Sequence, residues 1–133
     1  MSLGDYVGLP FADHGRDRAG LDCWGLLRLV YAERFGLVLP SYGDGYNTVE
    51  DGEALAGLIA GHLGPWREVD ASAARLGDGV LMSLGGQPRH VGLWAGRGMV
   101  LHIERGTGSL MEPAQSPRLR RRILGIFRHE RLS

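Results

Sequence analysis

The sequence predicts an α+β domain: a helix early in the chain packed on an antiparallel sheet built from the second half. Three observations predict it. Apolar residues recur at helical spacing over 22–35 and again over 49–63. After Gly64-Pro65 the pattern changes to short extended runs separated by glycine turns. Glycine makes up 22 of 133 residues without any period, which suits a turn-rich fold and excludes collagen or a linker. Helices first and strands after is the α+β order. The length fits one domain, residues 1–133, around one core.

Residues 1–21 read as irregular, punctuated by Gly4, Gly8, Pro10, Gly15 and Gly20. The first helix, 22–35, has Asp22 as N-cap, an apolar stripe of Leu26, Leu27, Val30 and Tyr31, and Gly36 as its C′ stop. A loop with Tyr42 and Tyr46 leads to the second helix, with Asn47 or Thr48 as cap and Leu55, Leu58, Ile59 and Leu63 as stripe. Strands follow at Trp66–Val69 and Gly79–Leu84, then a turn at Gly85-Gly86-Gln87-Pro88. His90–Ala95 and Met99–Glu104 form a hairpin across the three-residue loop Gly96-Arg97-Gly98, and Ile123–His129 is the last strand. The strands are expected to run as a meander.

Composition excludes several functions. Fifteen basic residues, all arginine, balance fifteen acidic ones, so no global charge favours nucleic acid or an anionic membrane as partner. One cysteine, Cys23, excludes an internal disulfide and a Cys₄ zinc site. No window approaches 18 apolar residues. The opening Met-Ser-Leu-Gly-Asp-Tyr has no basic or apolar leader pattern, which predicts synthesis in the cytoplasm without a secretory signal. No phosphate-binding loop or EF-hand is present, and no cofactor is expected.

Cys23 directly follows the expected N-cap. A thiol in the first helical turn faces unpaired backbone amides and the positive end of the helix dipole, and both favour a thiolate. The same amides can hold the oxyanion of a tetrahedral intermediate, and Gly25 keeps bulk away from the sulfur. The plain alternative is a buried cysteine acting as a small hydrophobe. Strand alternation puts His90, Gly92 and Trp94 on one face of their strand, and Val100, His102 and Glu104 on one face of the next. If Ala95 pairs with Met99, Gly92 opposes His102 and His90 opposes Glu104. The two histidines then lie diagonally across the ladder, roughly 7–8 Å apart at the backbone, with the gap at Gly92 open. One histidine can take the Cys23 proton while the other orients it. A zinc site of both histidines with Glu104 is the other reading, and it leaves the helix-capped cysteine without a role.

These residues resemble a known family. Leu21-Asp22-Cys23-Trp24-Gly25-Leu26-Leu27 resembles the nucleophile motif of the NlpC/P60 cysteine peptidases. Arg89-His90-Val91-Gly92-Leu93-Trp94 resembles their base-bearing strand, and Met99-Val100-Leu101-His102 the strand with the third polar residue. Leu76-Gly77-Asp78-Gly79-Val80-Leu81-Met82 looks like the family's Pro-Gly-Asp strand start. The resemblance implies a papain-like fold and cleavage of peptidoglycan stem peptides, commonly between D-glutamate and a diamino acid. It implies Cys23 as nucleophile, His90 as base and His102 as orienting residue, with Asp22, Phe11, Trp24, Gly92 and Trp94 around the oxyanion site and cleft, and no metal. An amidase or acyltransferase would use the same trio. Members often carry a tyrosine after an early Gly-x-Pro; here Phe11 follows Gly8-Leu9-Pro10, with Asp13 and His14 as nearby polar residues.

Gly-Leu-Pro-Phe near the start and the Arg-rich end resemble the forms encoded with phage tail genes. That implies phage tail proteins as partners, delivery by a virion tail and action at the cell wall or in the periplasm. A structural tail component that keeps the fold without the chemistry is the alternative. Arg118, Arg120, Arg121 and Arg122 read as a solvated basic edge or a partner contact.

Overall fold

The computed structural model describes residues 3–13, 15–39, 66–84 and 86–132. The second helix expected at 49–63, the loop with Tyr42 and Tyr46, and His14 lie outside the described residues.

Helix α1 spans Cys23–Arg34. Asp22 caps it from an extended backbone, its Oδ1 accepting the Gly25 N–H at 2.7 Å. Such a cap contributes about 1 kcal/mol. Arg16 Nη1 donates to the same oxygen at 2.8 Å. The expected stripe Leu26, Leu27, Val30 and Tyr31 is fully buried. At the other end Gly36 is left-handed (φ +63°), and the Phe35 and Leu37 amides both donate to the Tyr31 carbonyl.

The segment before α1 is more ordered than its glycines suggest. A 3₁₀ turn at Gly4–Tyr6 is followed by the two-residue strands β1 (Arg16–Asp17) and β2 (Gly20–Leu21), paired antiparallel. This hairpin lies against the start of α1. A Cβ on Gly25 would stand 2.1 Å from the Gly15 carbonyl oxygen. Gly25 is therefore required by a crossing backbone, not by open space beside the sulfur.

Six antiparallel strands make the main sheet: β3 (Trp66–Val69), β4 (Gly79–Leu84), β5 (Gln87–Gly96), β6 (Met99–Glu104), β7 (Gly108–Pro113) and β8 (Ile123–His129), ordered β3-β8-β4-β5-β6-β7. Helix on antiparallel sheet is the expected plan. Only β4–β7 form a meander, because β8 inserts between β3 and β4. The ion pair Asp78–Arg128 ties the start of β4 to β8: Nε and Nη2 reach the two carboxylate oxygens at 2.9 and 2.7 Å, and both side chains are buried. Leu84 pairs with Gln87, so Gln87 and Pro88 belong to β5 rather than to the turn.

The hairpin register between β5 and β6 follows the expectation at Leu93–Leu101 and Trp94–Val100. It then shifts, so Gly96 rather than Ala95 faces Met99, and Arg97 and Gly98 turn the chain with positive φ. Positive φ at both central residues is the turn that matches strand twist.

Helix α1 packs on β5 and β6. The core on that face joins Leu26, Leu27, Val91, Leu93, Leu101 and Ile103. The opposite face carries a second cluster of Val80, Met82, Val100 and Ile126, covered by Ala114 and Leu119. No helix among the described residues is long and apolar enough to cross a membrane.

Asp78→Ala strands the Arg128 guanidinium and is expected to cost roughly 3 kcal/mol in urea unfolding. Asp78→Leu with Arg128→Met should recover much of that. A single-variant loss under about 0.5 kcal/mol, the scale of an ordinary surface change, would contradict this role.

Candidate active site

His90 and His102 stand on the sheet face away from α1. His90 is opposite Met82 in register, and a Cβ on Gly92 would meet the Met82 Cε and the His102 Cβ, so all four positions share that face. His90 Nε2 lies 3.0 Å from His102 Nδ1, with the rings edge to face. The expected meeting of the two histidines is present. Both are buried, at 2% and 0% exposure.

Behind them stands a residue the sequence reading missed. His102 Nε2 is 2.8 Å from Glu112 Oε1 on β7. Arg118 binds Glu112 through Nε at 2.9 Å and through a second, closer contact from Nη2, which also binds Glu104. Arg122 Nη1 reaches Glu104 at 3.4 Å. Half of the expected basic edge thus serves as counter-charge to Glu104 and Glu112, with Arg118 half-exposed and Arg122 more buried, while Arg120 and Arg121 are exposed. Ligand atoms of His102, Glu104 and Glu112 lie within 4.8 Å of one another. A cation there would have to displace the guanidiniums that hold both carboxylates, and His90 and His102 each commit one ring nitrogen to the other.

Cys23 approaches β5 from the helix side. Its sulfur is at the backbone amides of Val91, Trp24 and Cys23 itself. The Val91 amide belongs to the peptide that joins it to His90, so thiol and imidazole flank one peptide. No hydrogen bond links Cys23 to either histidine among the described residues. The thiol does not titrate as the helix position alone predicts. Burial pushes it up to about 12, with the Asp22 carboxylate adding to the rise and the three amides opposing it. At 1% exposure, desolvation outweighs the dipole.

The other predicted residues separate. Asp22 is the buried cap beside Cys23. Phe11 bridges Leu21 in parallel and packs on the helix-side core, with the Arg105 guanidinium 4.9 Å from its ring centroid. Asp13, near it, is paired to Arg105 at 2.8 Å. Gly92 lies between the histidines. Trp24 is a core side chain at 1% exposure, not a cleft wall. Trp94 shares the histidine face but lines a separate hollow of about 420 Å³ with Ala71, Gln115, Arg120, Ile123 and Ile126.

The NlpC/P60 family model matches residues 8–128. A curated relative, the murein DD-endopeptidase MepS/murein LD-carboxypeptidase of Escherichia coli K12, is 29% identical over 118 residues, 89% of this chain and 54% of its own length. The chain thus spans about half of that relative. The NlpC/p60 domain of the peptidoglycan hydrolase SagA is similar at 24% identity and a TM-score of 0.58, over 84% of this chain and 82% of that one. An NlpC/P60 family protein from Bacillus cereus gives 20% identity and a TM-score of 0.68, over 93% and 36%. These structural likenesses show the fold.

Burial holds His90 well below the ordinary histidine range, aided by His102, Arg122 and Arg118 and opposed by Glu112. Burial also lowers His102, against Glu112 and Glu104. Unfolded, both titrate near 6.5. Below that pH the unfolded chain binds more protons, so stability falls as pH falls, by up to ~1.4 kcal/mol per pH unit for each histidine. The urea midpoint should drop between pH 7 and 5, and less steeply in His90→Gln. An unchanged slope in that variant would contradict the buried neutral imidazole.

Proposed function

This chain belongs to the NlpC/P60 family, and we propose that it is a cysteine endopeptidase of peptidoglycan stem peptides, with Cys23 as nucleophile, His90 as base and His102 as orienting residue. The observation that carries the reading is the shared peptide: Cys23 at the start of α1 abuts the Val91 amide, and His90, on the other side of that peptide, is hydrogen-bonded to His102.

The pair starts neutral. As the sulfur attacks the scissile carbonyl, its proton moves to His90, and the S–C bond forms. Amides at the helix start face the developing oxyanion. The C–N bond then breaks, the amine leaves with the proton held by His90, and the acyl group stays on Cys23. Water attacks the thioester, again losing a proton to His90, and frees the acid and the thiol.

The bond we assign is D-glutamyl–diamino acid, from the motif resemblance. The Escherichia coli relative is named for DD-endopeptidase and LD-carboxypeptidase activities, which leave different products. A setting in a phage or prophage tail, with tail proteins as partners and action at the cell wall, draws support from Gly-Leu-Pro-Phe at 8–11 and from the exposed Arg120 and Arg121. A fold kept without chemistry draws support from the enclosed sulfur.

Digestion of defined muropeptides, read by mass spectrometry, separates these readings. The expected result is a cut after D-glutamate that Cys23→Ala and His90→Ala abolish while both variants stay folded. Wild-type turnover in both variants would overturn the assignment, and an inert wild type would favour the non-catalytic fold.

A further inference from the structure

The two histidines form a chain that ends on a carboxylate, and the direction of its protons can be read along it. We propose that Glu112 is a positioning residue: by accepting the Nε2–H of His102 it fixes the tautomer of both histidines and leaves Nδ1 of His90 bare. This rests on the reading of His90 as base to Cys23.

The derivation starts at Glu112. Arg118 and the His102 bond hold its carboxyl down at about 2, against the effect of burial. At neutral pH it is ionised and can only accept. His102 Nε2, at 2.8 Å, must therefore carry the hydrogen. A neutral imidazole has one N–H, so His102 Nδ1 is bare. His90 Nε2 stands 3.0 Å from that bare nitrogen and must donate to it. Neutral His90 then has Nδ1 free of hydrogen. In an imidazole Nδ1 is the nitrogen nearer its own backbone, and Cys23 lies at the peptide that follows His90.

The charged groups around the pair agree with this direction. Glu104 Oε1 is 3.9 Å from His102 Nδ1, too far to draw a hydrogen there, and its carboxylate is bound by Arg118 and Arg122. Arg118 binds both oxygens of Glu112, sharing Oε1 with His102. Without Glu112, His102 is free to turn its N–H onto Nδ1. His90 then accepts at Nε2 and carries its own hydrogen on Nδ1, where it cannot take the thiol proton. A misplaced tautomer of this kind disables the histidine of a catalytic triad.

Long-range ¹H–¹⁵N spectra of the labelled full chain at neutral pH test this without reference to cleavage. Wild type should show both histidines as Nε2–H tautomers. Glu112→Gln, whose amide oxygen still accepts, should keep that pattern, and Glu112→Leu should move the His90 hydrogen to Nδ1. Nδ1–H on His90 in wild type, or an unchanged pattern in a folded Glu112→Leu, would overturn the proposal. If Glu112→Leu does not fold, the wild-type and Glu112→Gln spectra still decide. In a cleaving enzyme, Glu112→Leu should lower kcat by up to about 10⁴-fold, the scale of a wrong tautomer in a catalytic triad. KM should hold, and Glu112→Gln should recover most of the rate. Equal losses in both variants would contradict a tautomer role. Failure of muropeptide cleavage in wild type would count against the peptidase reading and leave the spectra to judge Glu112.

Discussion

The site depends on a missing side chain. At Gly92 a Cβ would stand 2.7 Å from the Leu101 carbonyl oxygen and 3.0 Å from the His102 Cβ. Diagonal neighbours across a ladder are within reach of aromatic and long side chains. Here the empty position lets the two imidazoles meet over the β5 backbone. The same strand offers the Cys23 sulfur the Val91 amide, which belongs to the peptide that follows His90. One strand thus positions all three residues, and its alternation sorts them: apolar Val91 and Leu93 into the helix-side core, His90 away from it.

Burial then decides how the groups are protonated. A helix start favours a thiolate, yet the sulfur is enclosed beside the Asp22 carboxylate, and desolvation outweighs the amides. The histidines are enclosed too, and burial keeps them neutral. The result is a neutral thiol and two neutral imidazoles, with no ion pair formed in advance. Around the histidines, charge lies in the outer ring of Glu104, Glu112, Arg118 and Arg122, where carboxylates and guanidiniums offset one another. One hydrogen bond, His102 Nε2–H to Glu112 Oε1, joins this ring to the histidines.

The parts legible in the sequence are those set by local pattern. Asp22 as cap, the stripe through Tyr31, and Gly36 as stop follow from helical spacing. The meeting of His90 and His102 follows from strand alternation and a short loop, even though the loop turns at Arg97-Gly98 with a shifted register. Glu112 was not legible. Gly108–Pro113 carries no clean alternation and ends in proline, so β7 gives a weak strand signal. Arg118 looked like one charge in a basic run, because nothing local shows that it folds back onto β6 and β7. The place of β8 depends on Asp78 and Arg128, fifty residues apart. Gly25 sits beside the sulfur in the sequence, but the close approach that requires it comes from the Gly15 backbone, ten residues earlier.

The central claim is that Cys23 carries the acyl group. Rapid quenching of a muropeptide reaction, followed by peptide mapping, tests it most directly. The account predicts an added mass equal to the acyl half of the substrate on the peptide containing Cys23, forming before product release and absent in His90→Ala. Turnover of the muropeptide with no adduct on Cys23, and with the same rate in Cys23→Ala, would contradict it.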